Sequence, residues 1–206
     1  MARTALPEDH WSLGIRPQPQ PLTAEEYEAL PEDISRVIEV VDGMVVFCAS
    51  PTPEHQTAVR RLTNLIERWT RSATRAGHGC LDVDSVLDLR LRDVPLLNRR
   101  PDVVLYRCLD RSTGERLRAE HVLLVVEVVS PGSETADTAD KASEYAKAGI
   151  PHYWDGTGVS TIERYKLDPA AMLYKHLGTL MKDEDGGPPE ITNPISMTIE
   201  WGELEY

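Results

Sequence analysis

The stretch Val122-Leu-Leu-Val-Val-Glu-Val-Val129 decides the fold, because it is a run of strand-forming residues with one carboxylate inside it. Apolar residues on both alternating sides are typical of a strand that is buried on both faces of a sheet. A buried carboxylate without a partner costs free energy comparable to the whole stability margin of a domain. Glu127 must therefore be neutralised, paired with a cation such as Arg99 or Arg100, or bound to a metal ion.

Shorter patterns on either side of this strand predict the other elements. Capping residues and helical spacing of apolar side chains indicate helices at 23–30, 53–75 and 135–148. Strands are expected at 37–41, 44–47, 81–91, 103–106, 122–129, 152–154, 159–167, 172–176 and 195–199. This order predicts an α/β (α+β) fold with a mixed central sheet flanked by helices. Residues 1–22, which include a Pro-rich run, are expected to form a flexible leader, and residues 23–206 a single domain.

Composition and charge limit the class of protein. The 206 residues are 41% hydrophobic and 27% charged, which is typical of a globular chain that buries a core. The net charge of −12 repels nucleic acid overall, so binding to a phosphate backbone needs a local basic surface or a metal ion. The long helix carries a stripe of arginines that could offer such a surface, although a solvated face is the simpler explanation: Arg60, Arg61, Arg68, Arg71 and Arg75.

The cysteines and the absence of long apolar runs suggest a compartment. Cys48, Cys80 and Cys108 are widely spaced and lack a Cys-x-x-Cys motif, so we expect neither a disulfide framework nor a zinc site. Each is expected to be a small buried hydrophobe in a reducing compartment. No signal-peptide core and no membrane-spanning run is visible. We therefore expect a soluble, cytoplasmic protein with no membrane partner.

Asp102 is the second carboxylate of interest. It follows Pro101, which cannot continue a strand ladder, so Asp102 is expected at a strand end where a cleft can form. Taken alone, it is explained as well by a strand-start cap. Two carboxylates on consecutive core strands favour a site that binds a divalent cation through oxygen ligands.

Lys141 adds a cation to this pair. It lies on the helix that follows Glu127 after a short turn at residues 130–133, so its side chain can point back towards the carboxylates. Asp137 lies one helical turn before Lys141, and Tyr145 one turn after it. Asp137 is expected to position Lys141, and a surface ion pair between the two is the alternative.

These residues together resemble the Uma2 family of putative restriction endonucleases, which belongs to the PD-(D/E)XK nuclease superfamily. The resemblance covers residues 22–154 well and the final strands loosely. The motifs that carry it are Pro101-Asp102, Glu127-Val-Val-Ser-Pro-Gly-Ser133, Asp137-x3-Lys141-x3-Tyr145-x3-Gly149-Ile-Pro-His-Tyr-Trp154, Thr23-Ala-Glu-Glu-Tyr27, Glu39-Val-Val-Asp-Gly43, and Ser50-Pro51 with His55-Gln56.

The resemblance implies a restriction-endonuclease-like core with the N-terminal helix and hairpin as an extension. It implies that Asp102 and Glu127 bind Mg²⁺ (or Mn²⁺) and that Lys141 is catalytic, with a phosphodiester of DNA as the expected substrate. Glu39 is expected to be an accessory metal ligand or hydrogen-bond partner, and pairing with a nearby Arg is the alternative. Asp137 is a second auxiliary residue. Homodimerisation is common among such nucleases, so a homodimer is a further expectation.

Two departures from the family pattern leave other functions open. Val129 stands where the superfamily carries a lysine, which implies that Lys141 has taken that role. Asp155-Gly-Thr-Gly158 replaces an apolar run, so the strand there is expected to be short. The alternatives are an inactive nuclease-fold module for binding or assembly, a hydrolase of another phosphodiester such as RNA or a nucleotide, and a structural protein with a salt-bridged Glu127. His55 is either a substrate contact or, more simply, a surface residue.

Overall fold

A mixed six-stranded sheet forms the centre of the computed structural model, which describes residues 20–110, 112–129, 136–157, 160–182 and 187–204, without the side chains of residues 136, 137 and 157. Its strands are β3 Leu81–Ser85, β6 Val103–Arg107, β7 Val122–Val129, β8 His152–Thr157, β9 Thr161–Asp168 and β10 Leu173–Met181. They lie in the order β10-β9-β8-β7-β6-β3. β7 and β8 run parallel, and the other neighbouring pairs of this sheet run antiparallel. The mixed central sheet predicted from the sequence is confirmed.

Two helices cover the faces of this sheet. α3 (Pro53–Arg75) buries its apolar stripe in one hydrophobic cluster with alternate residues of β7, including Leu124 and Val126. α4 (Ala136–Lys147) contributes Tyr145 to a second cluster that contains Val125. Both clusters follow from the alternation of side chains along β7, which buries both of its faces.

A smaller antiparallel sheet lies beside the central one and has the order β2-β1-β5-β4. Its strands are β1 Ile38–Val41, β2 Met44–Phe47, β4 Leu89–Arg92 and β5 Leu97–Arg99, and it is preceded by α1 (Ala24–Glu28) and α2 (Glu32–Ser35). The predicted capping box of Thr23 and Glu26 is present. The predicted hairpin turn is also confirmed, because Asp42 and Gly43 adopt the positive φ values, 51° and 80°, that a tight turn needs. The described chain ends with β11 (Glu190–Ile191), β12 (Met197–Thr198) and α5 (Trp201–Leu204).

Two expectations about strands are wrong, and one strand was not predicted. The alternating run 81–91 is not one strand, because Val86 turns the chain with a φ of 54° and sends β3 and β4 into different sheets. β8 extends through Thr157 and is not shortened by its Asp-Gly-Thr sequence. β5 has no counterpart in the predicted elements.

The expectation for the cysteines is also wrong. Cys80 and Cys108 form a disulfide at the ends of the paired strands β3 and β6, and Cys48 is an exposed free thiol. None of the described helices is long and apolar enough to cross a membrane. Residues 1–19 of the predicted leader and the turn 130–133 lie outside the described residues.

Candidate active site

An open pocket of about 750 Å³ lies where the smaller sheet meets the central one. The three predicted catalytic residues, Asp102, Glu127 and Lys141, all line it, and so does Glu39. They come from four different elements: the start of β6, the middle of β7, α4 and β1. The fold therefore collects on one surface the residues that the sequence separates by up to about a hundred positions.

Glu127 is one of two deeply buried acids of this pocket: 6% of the residue is exposed, against 5% for Glu39. The hydroxyl of Tyr145 donates to its Oε1 at 2.7 Å, and the ammonium Nζ of Lys141 lies 3.6 Å from its Oε2. Burial is the main cause that raises the pKa of Glu127 to about 8; Lys141 opposes the shift, and the charge of Asp102 contributes to it. Without added positive charge this carboxyl therefore holds its proton near neutral pH.

Asp102 lies directly before β6 and is held as an acceptor on both oxygens. The backbone N–H of Val128 donates to its Oδ2 at 2.7 Å, and His55 Nε2 lies 2.9 Å from its Oδ1. Val128 is the residue after Glu127, so this hydrogen bond ties together the two strands that carry the carboxylates. The hydrogen bond to Asp102 is the largest cause of a raised pKa at His55.

His55 belongs to the pocket and is not an ordinary surface residue. It occupies the first turn of α3, where its backbone N–H is capped by the Thr52 hydroxyl at 3.2 Å. This cap fixes the start of the helix beside Asp102 and so turns the imidazole towards the carboxylate. The Thr52-Pro53 signal located the helix start in the sequence, but it carried no information about which strand end lies next to it.

Lys141 reaches two acids, because its Nζ lies 3.5 Å from Glu39 Oε1 as well as 3.6 Å from Glu127 Oε2. The expected approach of Lys141 is therefore present at Glu127. The side chain of Asp137 lies outside the described residues, and its positioning role stays a prediction.

Glu39 is paired with a nearby arginine, which was one of the two expectations for it. Arg99 donates to its Oε2 at 2.8 Å, and the backbone N–H of Arg100 donates to its Oε1 at 2.9 Å. Arg99 also pairs with Glu144 of α4, whereas the side chain of Arg100 pairs with Asp88. A metal-ligand role for Glu39 stays a prediction.

Comparison with known proteins identifies the family. A model described as Uma2, putative restriction endonuclease, matches residues 24–195. The chain belongs to the Uma2 family. The crystal structure of a putative nuclease of DUF820 from Anabaena variabilis ATCC 29413 is similar in fold, with a TM-score of 0.61 and 15% sequence identity over 89% of this chain and 97% of that chain. No curated protein matches the chain.

Sequence reasoning missed several residues that surround this Uma2 site. Tyr145 was noted for its helical spacing but given no role, although it contacts Glu127 directly. Arg99 and Glu144 were not connected to each other or to Glu39. Their contacts span 45 and 60 positions of the chain, so no local pattern could have revealed them.

The pocket offers oxygen ligands for a hard divalent cation. Among the described residues, no group of three or more His, Cys, Asp or Glu side chains is already arranged as a metal cluster. Asp102 and Glu127 are nevertheless two carboxylates that interact electrostatically at the floor of one open pocket. Mg²⁺ is usually bound by one or two carboxylates and completes its shell with water and substrate oxygens, so this donor set fits the ion.

Proposed function

We propose that this Uma2 protein hydrolyses phosphodiester bonds of nucleic acid, DNA in the first place, with Mg²⁺ (or Mn²⁺) held by Asp102 and Glu127. The observation that carries the proposal is the convergence of these two carboxylates and the Lys141 ammonium on one open pocket. The family description favours a nuclease, and the choice of DNA over other phosphodiesters rests on that description.

The charges around Glu127 favour a bound cation. Arg99 and Lys141 supply two positive charges, which Glu39 and Glu144 offset through direct ion pairs. An ionised Glu127 therefore adds a negative charge at a buried place, where burial first, and then the charges of Asp102 and Glu39, raise its pKa against the opposing effect of Lys141. When bound, a divalent cation supplies the missing positive charge, polarises the scissile phosphate and lowers the pKa of a coordinated water.

The protein's own groups orient the reactants. The Val128 N–H and His55 hold the Asp102 carboxylate in a fixed rotamer, and Tyr145 does the same for Glu127. Lys141 Nζ lies beside Glu127 and lines the pocket, where it can donate to the attacking water or to a phosphate oxygen that gains negative charge in the transition state. These fixed groups need little reorganisation when the phosphate reacts.

The basic stripe on α3 is a weak argument for substrate binding. Arg68 pairs with Glu203, and Arg71 pairs with Glu67, so part of its charge is already neutralised. The acidic net charge of −12 therefore has to be overcome at the pocket itself. Three cations line its walls, but each is paired with an acid in turn: Arg36 with Glu32, Arg100 with Asp88, and Lys141 with Glu39 and Glu127. This arrangement favours a nuclease that depends on its metal ion for substrate affinity as well as for chemistry.

Nicking of supercoiled plasmid in Mg²⁺ or Mn²⁺ tests the proposal. Asp102→Asn, Glu127→Gln and Lys141→Met should each lower the rate by more than about 100-fold, because loss of a residue that merely supports a metal ligand already costs 10- to 100-fold. Lys147→Met removes an exposed lysine of the same helix and should leave the rate unchanged. Wild-type rates in all three variants would overturn the assignment.

An inactive binding module is the second candidate, and the hydrogen bonds of Asp102 favour it. Both oxygens of that carboxylate already accept hydrogen bonds, and Val129 replaces the lysine of the wider superfamily. Calorimetric titration separates the two candidates, since the module should show no Mg²⁺ binding that depends on Asp102 and Glu127. A substrate panel of DNA, RNA and nucleotides then separates a DNA nuclease from a hydrolase of another phosphodiester.

A further inference from the structure

Arg99 lies behind the pocket and connects two elements that form it. The residue ends β5 and is 2% exposed. Its Nε and Nη2 donate to the two oxygens of Glu144 at 2.6 and 3.0 Å, and its Nη1 donates to Glu39 Oε2 at 2.8 Å. One guanidinium thus holds α4 and β1 at a fixed separation.

The face of α4 that Arg99 holds is also the face that carries the candidate chemistry. Lys141, Glu144 and Tyr145 are spaced i, i+3 and i+4, so their side chains leave the helix on the same side. Glu144 is fixed by Arg99, Tyr145 donates to Glu127, and Lys141 lies between Glu127 and Glu39. A shift or rotation of α4 would move all three contacts together.

We propose that Arg99 is a positioning residue that sets the place of the Lys141 ammonium relative to Glu127, through Glu144 on one side and Glu39 on the other. This inference rests on the proposed function. Glu39, Glu127 and Lys141 line the pocket, but Arg99 does not. Arg99 therefore acts on the chemistry only through the residues it holds.

The chemistry of the guanidinium explains why an arginine serves here. Its planar fork donates two parallel hydrogen bonds to one carboxylate and a further bond to a second, whereas an ammonium is a single compact charge. Stability alone does not explain the cluster, because buried ion pairs are often replaced by apolar residues at no cost. The buried ion pairs of Arg99 instead serve to fix the position of Lys141 relative to Glu127.

Arg99→Lys is the decisive substitution, since it keeps the charge and removes the fork. Turnover on plasmid DNA should fall about tenfold, because a displacement of the order of 1 Å in a reacting group has effects of this size or larger. The Mg²⁺ affinity measured by calorimetry should stay within about twofold, because Asp102 and Glu127 are untouched. The double variant Arg99→Lys/Lys141→Met should be no slower than Lys141→Met alone.

Arg118→Lys is the matched control, because Arg118 also forks onto a carboxylate, that of Asp93, away from the pocket. It should leave turnover unchanged. Two results would overturn the positioning role. One is a double variant whose turnover is lower than that of Lys141→Met by the same factor that Arg99→Lys causes in the wild type; the other is a tenfold loss of Mg²⁺ affinity in Arg99→Lys. Should Arg99→Lys fail to fold, Glu144→Gln serves in its place, because it removes the negative charge that pairs with Arg99. Its turnover is then compared, alone and combined with Lys141→Met, in the same way.

A second measurement is independent of activity. Reductive methylation with ¹³C-formaldehyde labels Lys141, whose signal is assigned by its absence in Lys141→Arg. Arg99→Lys should shift that signal and Arg118→Lys should not, and an unchanged signal in Arg99→Lys contradicts the inference. A wild-type protein without nuclease activity would overturn the proposed function, while this signal still decides the positioning role.

Discussion

The two carboxylates of the pocket reach it from neighbouring strands but lie in opposite surroundings. Glu127 is buried in the middle of β7, touches a tyrosine hydroxyl and a lysine, and has a pKa raised to about 8. Asp102 precedes β6 at the pocket wall, and its two oxygens accept from a backbone N–H and from His55. One acid lies where burial disfavours its charge, and the other is fixed in place by hydrogen bonds.

This difference indicates a division of labour. Two hydrogen bonds hold the carboxylate of Asp102 in one orientation, in which it can face a cation in the pocket. Burial disfavours the charge on Glu127, so it becomes a good ligand only when the cation replaces its proton. Metal binding is therefore expected to release a proton from Glu127.

The largest effect is expected in the pH dependence of metal affinity. Below a pKa of about 8, Glu127 must release its proton before it binds, so Mg²⁺ affinity should rise by up to tenfold for each pH unit, or about 50-fold from pH 6 to pH 8. Calorimetry in buffers of different ionisation enthalpy measures the proton released at each pH. An affinity that does not change with pH would remove the proposed contrast between the two acids.

Stability without metal should respond in the opposite direction to pH. The unfolded Glu127 loses its proton near the reference pKa of 4.5, whereas the folded protein retains it up to about 8. This contribution to stability is complete below pH 4.5 and is lost as the pH rises through 8. Between pH 5 and pH 8 in EDTA, the unfolding free energy of wild type should fall relative to Glu127→Gln by roughly 2–4 kcal/mol.

Urea denaturation of both proteins at the two pH values gives this difference directly, because the other titrating groups cancel. Equal pH profiles for wild type and Glu127→Gln would show that burial does not raise the pKa of this acid. Added Mg²⁺ at pH 8 should recover stability in wild type and not in Glu127→Gln.

Asp102→Asn should lower stability, in contrast to Glu127→Gln. The substitution weakens the charge-assisted hydrogen bond from the Val128 N–H and the pair with His55, so a loss of about 1–2 kcal/mol is expected. Asp110→Asn is the control, since Asp110 also accepts a backbone N–H but does so in an exposed turn. A stabilised Asp102→Asn would mean that Asp102 shares the strained environment of Glu127.

The smallest effect is expected at His55. His55→Phe keeps a ring in the pocket and removes the nitrogen that faces Asp102, so turnover should fall about three- to tenfold, at or below the usual range for a residue that orients a metal ligand. His78→Phe, at an exposed position beyond the end of α3, should have no effect. A loss as large as that of Asp102→Asn would place His55 in the reaction itself.

The sequence predicted best what local patterns encode. The apolar run around Glu127, the Asp42-Gly43 turn and the Thr52 cap each depend on neighbouring residues, and each is present in the structure. The single strand expected at 81–91 is absent because the alternating pattern continues across Val86 while the backbone turns there. Val86 has a positive φ, which a β-branched residue rarely adopts, so the pattern gave no sign of the turn.

The parts that sequence reasoning missed depend on contacts between distant segments. The disulfide joins Cys80 to Cys108, which are 28 positions apart, and only the pairing of β3 with β6 brings them together. Arg99 likewise finds Glu39 and Glu144 only after the smaller sheet packs against α4. Glu127 was predictable because a carboxylate is costly inside an apolar strand. Asp102 and Lys141 were predictable from their places in the chain and from the family resemblance, whereas the partners of these residues were not.

A crystal of the protein soaked in Mn²⁺ tests the central claim most directly. Anomalous scattering should show one ion within about 2.0–2.3 Å of carboxylate oxygens from both Asp102 and Glu127. Lys141 should lie next to that ion's water shell and not in it. The absence of such a peak in a crystal with free access to the pocket, or an ion that contacts neither carboxylate, would contradict the account.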